Sequence, residues 1–143
     1  MKGRKDLVTK RLLISTVSSY EGGDFCFGSH KNAIMTIADE SLVGIITTSD
    51  FPNGTCDISY KINPAHRGNG YATEALVAET TRKCKENLVP KLVIKMDSLE
   101  SLCVAKKAGY IKISENKKRG IQEFAPRGIA SDIGTRKLML KRE

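Results

Sequence analysis

The sequence predicts an α+β fold, a mixed α/β sandwich around one central, mostly antiparallel sheet flanked by helices. Three observations carry that prediction. Short β-branched apolar runs fill the first third of the chain. Two helical patterns follow, separated by another apolar run, and further apolar runs close the sequence. Glycines crowd the mouth of the first helix, in the stretch NPAHRGNGYATEAL at 63–76. The 143 residues read as a single domain, 1–143, long enough to bury one core without disulfides or metals.

Taken in order, RLLISTV (11–17) is the first strand pattern, and SSYEGGDFCFGSHK (18–31) a glycine- and serine-rich connection. NAIMTIA and LVGIITT are two strands joined through the polar DES, which reads as a hairpin. DFPNGT carries turn signals, and CDISYKI sets Ile58, Tyr60 and Ile62 against Asp57, Ser59 and Lys61, the alternation of a half-exposed strand. Tyr71 to Leu88 is the clearest helix: Thr73, Leu76, Val77, Thr80, Cys84 and Leu88 share one face, and Glu74, Glu79, Arg82, Lys83, Lys85 and Glu86 the other. Glu79 and Lys83 stand in the favourable i, i+4 order, and Pro90 ends the helix.

KLVIKM is the next strand, and DSLESLCVAKKAGY (97–110) a short second helix. Asp97 or Ser98 caps it, Glu100 suits a capping box, and Gly109 stands at its C-terminal end. YIKIS and TRKLMLK supply two last strands, joined by a long, basic loop covering 116–134.

The formal charge of +8 favours anionic partners, among which charge alone does not choose. No apolar run reaches membrane-spanning length and the N-terminus lacks a signal-peptide core, so a cytoplasmic, non-membrane protein is expected. Cys26, Cys56, Cys84 and Cys103 form no CxxC pair and have only His30 and His66 to join them, so free thiols and no metal site are expected. Aromatic residues are too few, and nucleic-acid-binding signatures too absent, to make a nucleic acid the favoured partner.

The turn at 63–76 holds the chemistry. Glycine permits positive φ and close backbone approach, and the first amides of a helix have no intrahelical partner, so an anion, most often a phosphate, suits the place. A GxGxxG dinucleotide motif fails because its third position is Thr73, and no P-loop lysine follows the glycines. What stands is Arg67-Gly68-Asn69-Gly70-Tyr71-Ala72, an Arg/Gln-x-x-Gly-x-Gly/Ala pattern at a strand-to-helix junction. This resembles the acyl-CoA pyrophosphate loop of the GNAT acetyltransferase superfamily. VTKRLLI, DISYKINPAHRGNGYATEAL and SLESLCVAKKAGY are similar, in order and spacing, to the landmark segments of the branch containing the ribosomal-protein N-terminal alanine acetyltransferases.

The resemblance implies acetyl-CoA as cosubstrate, with amides of Gly68 to Ala72 around the pyrophosphate, Thr73 in reach and Arg67 adding charge. The strand edge at Tyr60, Lys61 and Ile62 would bond the pantetheine arm, and His66 stands beside the phosphates as a solvated neighbour. Ser98 occupies the place of the family's asparagine, and Ala105 that of the tyrosine that protonates the leaving thiolate. That leaves Ser101 as the hydroxyl candidate, or as a helix-surface serine. Asp57, where the branch has a glutamate, is the candidate base, or a solvated strand residue. Residues 18–31 are too few for the two helices that relatives place there, which implies a shortened N-terminal helical region. One wall of the amine site would then come from 116–134, with Ile121 and Phe124 as apolar contacts, from a second copy in a homodimer, or from the acceptor itself. The implied function is acetyl transfer to a primary amine, preferably a peptide or protein N-terminus. The alternative is a non-catalytic CoA-binding or nucleic-acid-binding basic module.

Overall fold

The structure is a computed structural model that describes residues 6–21 and 28–129. Strands β1 (Leu7–Val8), β2 (Leu12–Glu21), β3 (Gly28–Thr36), β4 (Leu42–Asp50) and β5 (Thr55–Ile62) run as an antiparallel meander. Helix α1 (Tyr71–Lys85) carries the chain to β6 (Val89–Lys95), which lies parallel to β5. Helix α2 (Leu99–Lys107) leads to β7 (Tyr110–Asn116) and β8 (Ile121–Pro126). The eight strands form one sheet in the order β1-β2-β3-β4-β5-β6-β8-β7.

Strand alternation sorts residues onto two faces. One carries Leu12, Ile14, Ile34, Ile46, Cys56, Ile58, Leu92 and Phe124, and both helices pack on it through Ala75, Leu76 and Ala105 to make the main core. The other face carries Ser49, Asp57 and Lys91 in adjacent register positions, with Glu123 of β8, paired with Val93, diagonal to Lys91.

Five sequence expectations are corrected. The hydrophobic period turns α1 by a wrong angle: Val77 is 45% exposed and Cys84 exposed, whereas Glu79 and Lys83 are completely buried. Polar partners make that burial tolerable. Lys83 Nζ meets Asp50 Oδ1 at 3.0 Å and Glu86 Oε1 at 3.2 Å, and Arg82 Nε donates to Glu79 Oε1 at 2.9 Å, so both charges have partners other than each other. The helix also stops at Lys85, before Pro90 is reached. Asn87 takes a left-handed φ of 63°, and the Leu88 amide returns to the Lys83 carbonyl at 2.9 Å, a C-terminal cap that needs no proline.

The loop expected at 116–134 contains strand β8, inserted between β6 and β7 after a turn at Gly120 with φ of 65°. Phe124 is 4% exposed in the core, so it is no contact for an acceptor. Adjacent Phe124 and Ala125, both buried on opposite faces, erase the alternation that reveals a strand. The connection expected at 18–31 is mostly hairpin strand: β2 runs to Glu21, and β3 starts at Gly28. Ser98 does cap α2 by position, but no side-chain bond closes a capping box. The TRKLMLK strand and Cys26 lie outside the described residues.

Gly44 on β4 fixes how closely β5 lies against its neighbour. A Cβ there would stand 2.2 Å from the Lys61 carbonyl oxygen and 2.9 Å from Ile62 Cα, both backbone atoms that cannot step aside. Gly44→Ala is therefore expected to destabilise the fold by about 2–3 kcal/mol through overpacking, measured by urea titration. A loss below about 0.5 kcal/mol would show that β5 is freer than this spacing requires.

Candidate active site

The residues after β5 turn on glycine. Pro64–His66 form one 3-10 turn, Gly68 has φ of +83°, and Gly70, at φ of +79°, is the N-cap of α1. Those angles belong to the left-handed region that side chains avoid. The space in front of Gly68 is open: nothing lies within 4 Å of where its Cβ would stand. Gly70 supplies no side-chain cap, so the amides of Tyr71, Ala72 and Thr73 point outward without an intrahelical acceptor, at the positive end of the helix dipole.

Arg11 and Glu74 hold this turn from behind. Glu74 accepts from the Arg11 amide at 2.9 Å and from Arg11 Nε at 2.8 Å, and the Thr9 hydroxyl donates to it as well. The Arg11 guanidinium lies 4.6 Å over the Tyr71 ring, close enough for a cation–π contact, with one nitrogen 3.5 Å from the Cβ position of Gly70. The start of β2 is thereby tied to the first turn of α1. Sequence reading took VTKRLLI as a landmark without assigning Arg11 this task; the signal was the pairing of that segment with Glu74 far along the chain.

Strands β5 and β6 pair at only three positions, Thr55 with Val89, Cys56 with Pro90 and Asp57 with Lys91. Beyond them β5 stays with β4 as far as Ile62, and β6 turns to β8 from Leu92 to Lys95. The two strands therefore split, and β5 at Tyr60 to Ile62 lines a cleft of about 630 Å³ instead of pairing with a strand on that side. That cleft is lined by every residue expected to touch the cosubstrate except Asn69, whose amide instead donates to the His66 carbonyl at 3.0 Å.

On the helix side, Ser98 and Ser101 of α2 line the cleft, and the Tyr60 hydroxyl donates to the Ser101 carbonyl at 3.4 Å. Burial pushes the Tyr60 phenol up to about 12, so it stays protonated. Ala105 is fully buried, and no hydroxyl replaces the absent tyrosine at that place. Lys107, in the last turn of α2, also lines the cleft. At the entrance Arg67 Nε donates to the Ile62 carbonyl at 3.3 Å, and its Nη1 lies 4.0 Å from Glu100 Oε2. His66 packs obliquely against Tyr71, with ring centroids 6.4 Å apart.

Asp57 stands apart from these residues, on the opposite face, at the last paired position before the split. Burial raises its pKa against the pull of Lys91, and Glu123 raises it further. Its Oδ1 is buried and accepts no hydrogen bond among the described residues. Those residues also hold no cluster of His, Cys, Asp and Glu suited to a metal, and no helix is long and apolar enough to cross a membrane.

The sheet is thus split, with a strand edge that leads to an uncapped, glycine-opened helix N-terminus. A family model described as "Acetyltransferase (GNAT) domain" matches residues 9–111, and the chain belongs to that family. Solved structures agree in fold. An acetyltransferase of the GNAT family from Bacillus anthracis superposes with a TM-score of 0.62 at 24% identity, covering 66% of this chain and 64% of that one. A spermidine N-acetyltransferase from Vibrio cholerae, solved with CoA and spermine, gives 0.56 at 13% identity, covering 68% and 64%. The Salmonella typhimurium acetyl transferase that modifies the N-terminal serine of ribosomal protein L7/L12 gives 0.62 at 16% identity, covering 68% and 62%. This chain thus spans less than two thirds of the length of each. No curated protein sequence matches it.

The Glu74 clamp yields a pH prediction. Partial burial pushes the Glu74 pKa up, but the Thr9 hydroxyl, the Arg11 amide and guanidinium, and the Arg11 charge outweigh it and hold the carboxyl below its ordinary value. A depressed carboxylate contributes stability that is present above its unfolded pKa and lost as pH falls through the folded value. Glu74→Gln should therefore melt below the parent at pH 7, and the gap should close as pH drops under about 4. Thermal melts of both proteins from pH 7 to pH 3 check this; a gap independent of pH would contradict it.

Proposed function

We propose that this protein is an acetyl-CoA-dependent N-acetyltransferase acting on a primary amine, with a peptide or protein N-terminus as the preferred acceptor. The single observation that carries the reading is the β5–β6 split, which joins the anion-ready turn at 67–73 to a free strand edge along one cleft. Family membership and a CoA-bound structural neighbour support it.

In this reading the amides of Gly68 to Thr73 hold the pyrophosphate, with Arg67 and Lys107 adding charge. The edge at Tyr60, Lys61 and Ile62 bonds the pantetheine arm as an added strand. Ser98 contributes a polar contact from α2. The thioester then lies near the apex of the split, and the acceptor enters from the Asp57 face. The amine nitrogen attacks the thioester carbonyl, the C–S bond breaks, and CoA leaves as a thiolate. Asp57 takes the amine proton, directly or through water. Ser101 and the Tyr60 phenol stand on the helix side, where the thiolate leaves. Holding amine and thioester together supplies the larger part of the rate.

Since Phe124 belongs to the core, the apolar wall of the amine site comes from Ile121, from a second copy of the chain or from the acceptor itself. The free thiols at Cys56, Cys84 and Cys103 suit a reducing, cytoplasmic setting. The alternative, a non-catalytic CoA-binding or nucleic-acid-binding basic module, draws support from the charge of +8 and from Ala105 at the place of the family's tyrosine.

Acetyl-CoA at a hundred times its Kd should add about 2.7 kcal/mol of stability to the parent. It should add none to Gly70→Glu, whose carboxylate and side chain occupy the pyrophosphate place, provided circular dichroism shows the variant folded. A folded variant that binds like the parent would remove the loop assignment. Acetylation assays with N-terminal peptides, spermidine and lysine-bearing peptides identify the acceptor: transfer to spermidine alone would overturn the peptide preference. In the same assay Ser101→Ala should lower kcat about tenfold or more with little change in Kd for acetyl-CoA; an unchanged kcat leaves Ser101 a surface hydroxyl.

A further inference from the structure

Asp57 does not stand alone on its face of the sheet. Lys91 Nζ lies 3.8 Å from Asp57 Oδ1 and 3.2 Å from Glu123 Oε2, and the Ser114 hydroxyl donates to Glu123 Oε1 at 3.0 Å. One ammonium is shared by two carboxylates. The share is unequal: the Glu123 contact is a hydrogen bond, whereas 3.8 Å to Asp57 is too long for one. Lys91 is only 15% exposed, whereas the Asp57 side chain is 38% and Glu123 27% exposed, so water weakens the Asp57 contact more than the Glu123 one. The Asp57 Oδ1 atom is left buried without a donor, which is costly unless something bonds it during function.

The elements around Asp57 leave few alternatives. From β4 the residue opposite is Ser49, from β6 it is Lys91, and beyond β6 the charged group is Glu123 of β8; Lys91 and Glu123 are the charges that act on Asp57. Both sit at or next to the apex, since Asp57–Lys91 is the last pair before the strands part. The backbone there is fixed by pairing, so the side chains keep their spacing.

We infer that Lys91 is the positioning residue for the amine-side carboxylate of Asp57, and that Glu123, anchored by Ser114, tunes it by drawing the Lys91 ammonium away. The inference rests on the proposed role of Asp57 as proton acceptor. It assigns to β8, read from sequence as a loop, a part in the amine site. A half-neutralised Asp57 with a vacant oxygen accepts an N–H from an ammonium or amine better than a carboxylate locked in a close ion pair. In the catalytic cycle the ammonium of the acceptor gives up its proton to reach the nucleophilic amine form, and Lys91 keeps Asp57 ionised to receive one.

Two substitutions should act with opposite sign. Removing the ammonium in Lys91→Met leaves Glu123 acting on Asp57 unopposed, so the Asp57 titration should move up by about one pH unit or more. Removing the competing charge in Glu123→Gln should move it down, and Lys91→Arg should keep it near the parent. The direct readout is carboxyl 13C NMR of aspartate-labelled protein, with Asp57 assigned through Asp57→Asn. The second readout is the acid limb of kcat against pH, which should follow the same shifts and make Lys91→Met about tenfold slower than the parent on that limb.

The conservative variants Lys91→Arg and Glu123→Gln keep the test valid if Lys91→Met fails to fold. Shifts of equal sign in both charge-removing variants, or none, overturn the inference. So does acetyl transfer whose acid limb ignores Lys91 and Glu123. Carboxyl shifts as stated in a protein that transfers no acetyl group support the electrostatic arrangement while the acetyltransferase reading falls.

Discussion

Three residue pairs hold β5 to β6, and everything at the site follows from how soon that pairing ends. A parallel pair that continued to Ile62 would close the cleft and consume the free edge of β5. Past Asp57 and Lys91 each strand keeps the neighbour on its outer edge, β4 along β5 through Ile62 and β8 along β6 from Leu92 to Lys95, while the two inner edges part. Pro90, which has no amide to donate, stands inside the short paired stretch. The result is a sheet that parts in its middle, with a cleft between the end of β5, the turn before α1 and α2. On the proposed reading a ligand lies along β5 in that cleft, with the amine arriving from the Asp57 face.

Two charge clusters set the height and tilt of α1 against this opening. At its N-terminal end Arg11, Thr9 and Glu74 fasten the first turn to the start of β2. Toward its C-terminal end the buried Lys83 ammonium meets Asp50 at the end of β4. Buried pairs of this kind add little net stability compared with apolar residues of the same shape, but breaking one leaves an unmatched charge inside. They therefore fix one position of the helix more than they strengthen it, and that position decides where its open amides point. On the proposed reading this is what aligns the anion-ready end of α1 with the mouth of the split.

The legible parts of the sequence were the local ones. Gly68 and Gly70 announce their turn because positive φ is a property of single residues, and Gly109 marks the end of α2 for the same reason. The meander up to Ile62 shows in alternation and turn residues. What stayed hidden depends on partners distant in the chain. Glu79 and Lys83 looked like solvated residues because charge predicts exposure unless a partner is known, and Asp50 lies on another element. β8 was invisible because both its faces are covered near Phe124 and Ala125, which removes the period of two. Asp57 was found as a candidate, yet Lys91 and Glu123, which set its electrostatics, reach it only through strand order.

The central claim is that an acyl-CoA lies along the free edge of β5 with its phosphates on the open turn of α1. Amide hydrogen exchange, read residue by residue by NMR with and without saturating CoA, tests it most directly. The account predicts slowed exchange at Gly68 to Thr73 and at amides along residues 58–62, with little change in β1 to β3. Protection confined to another surface, or none in those two segments at saturation, would contradict it.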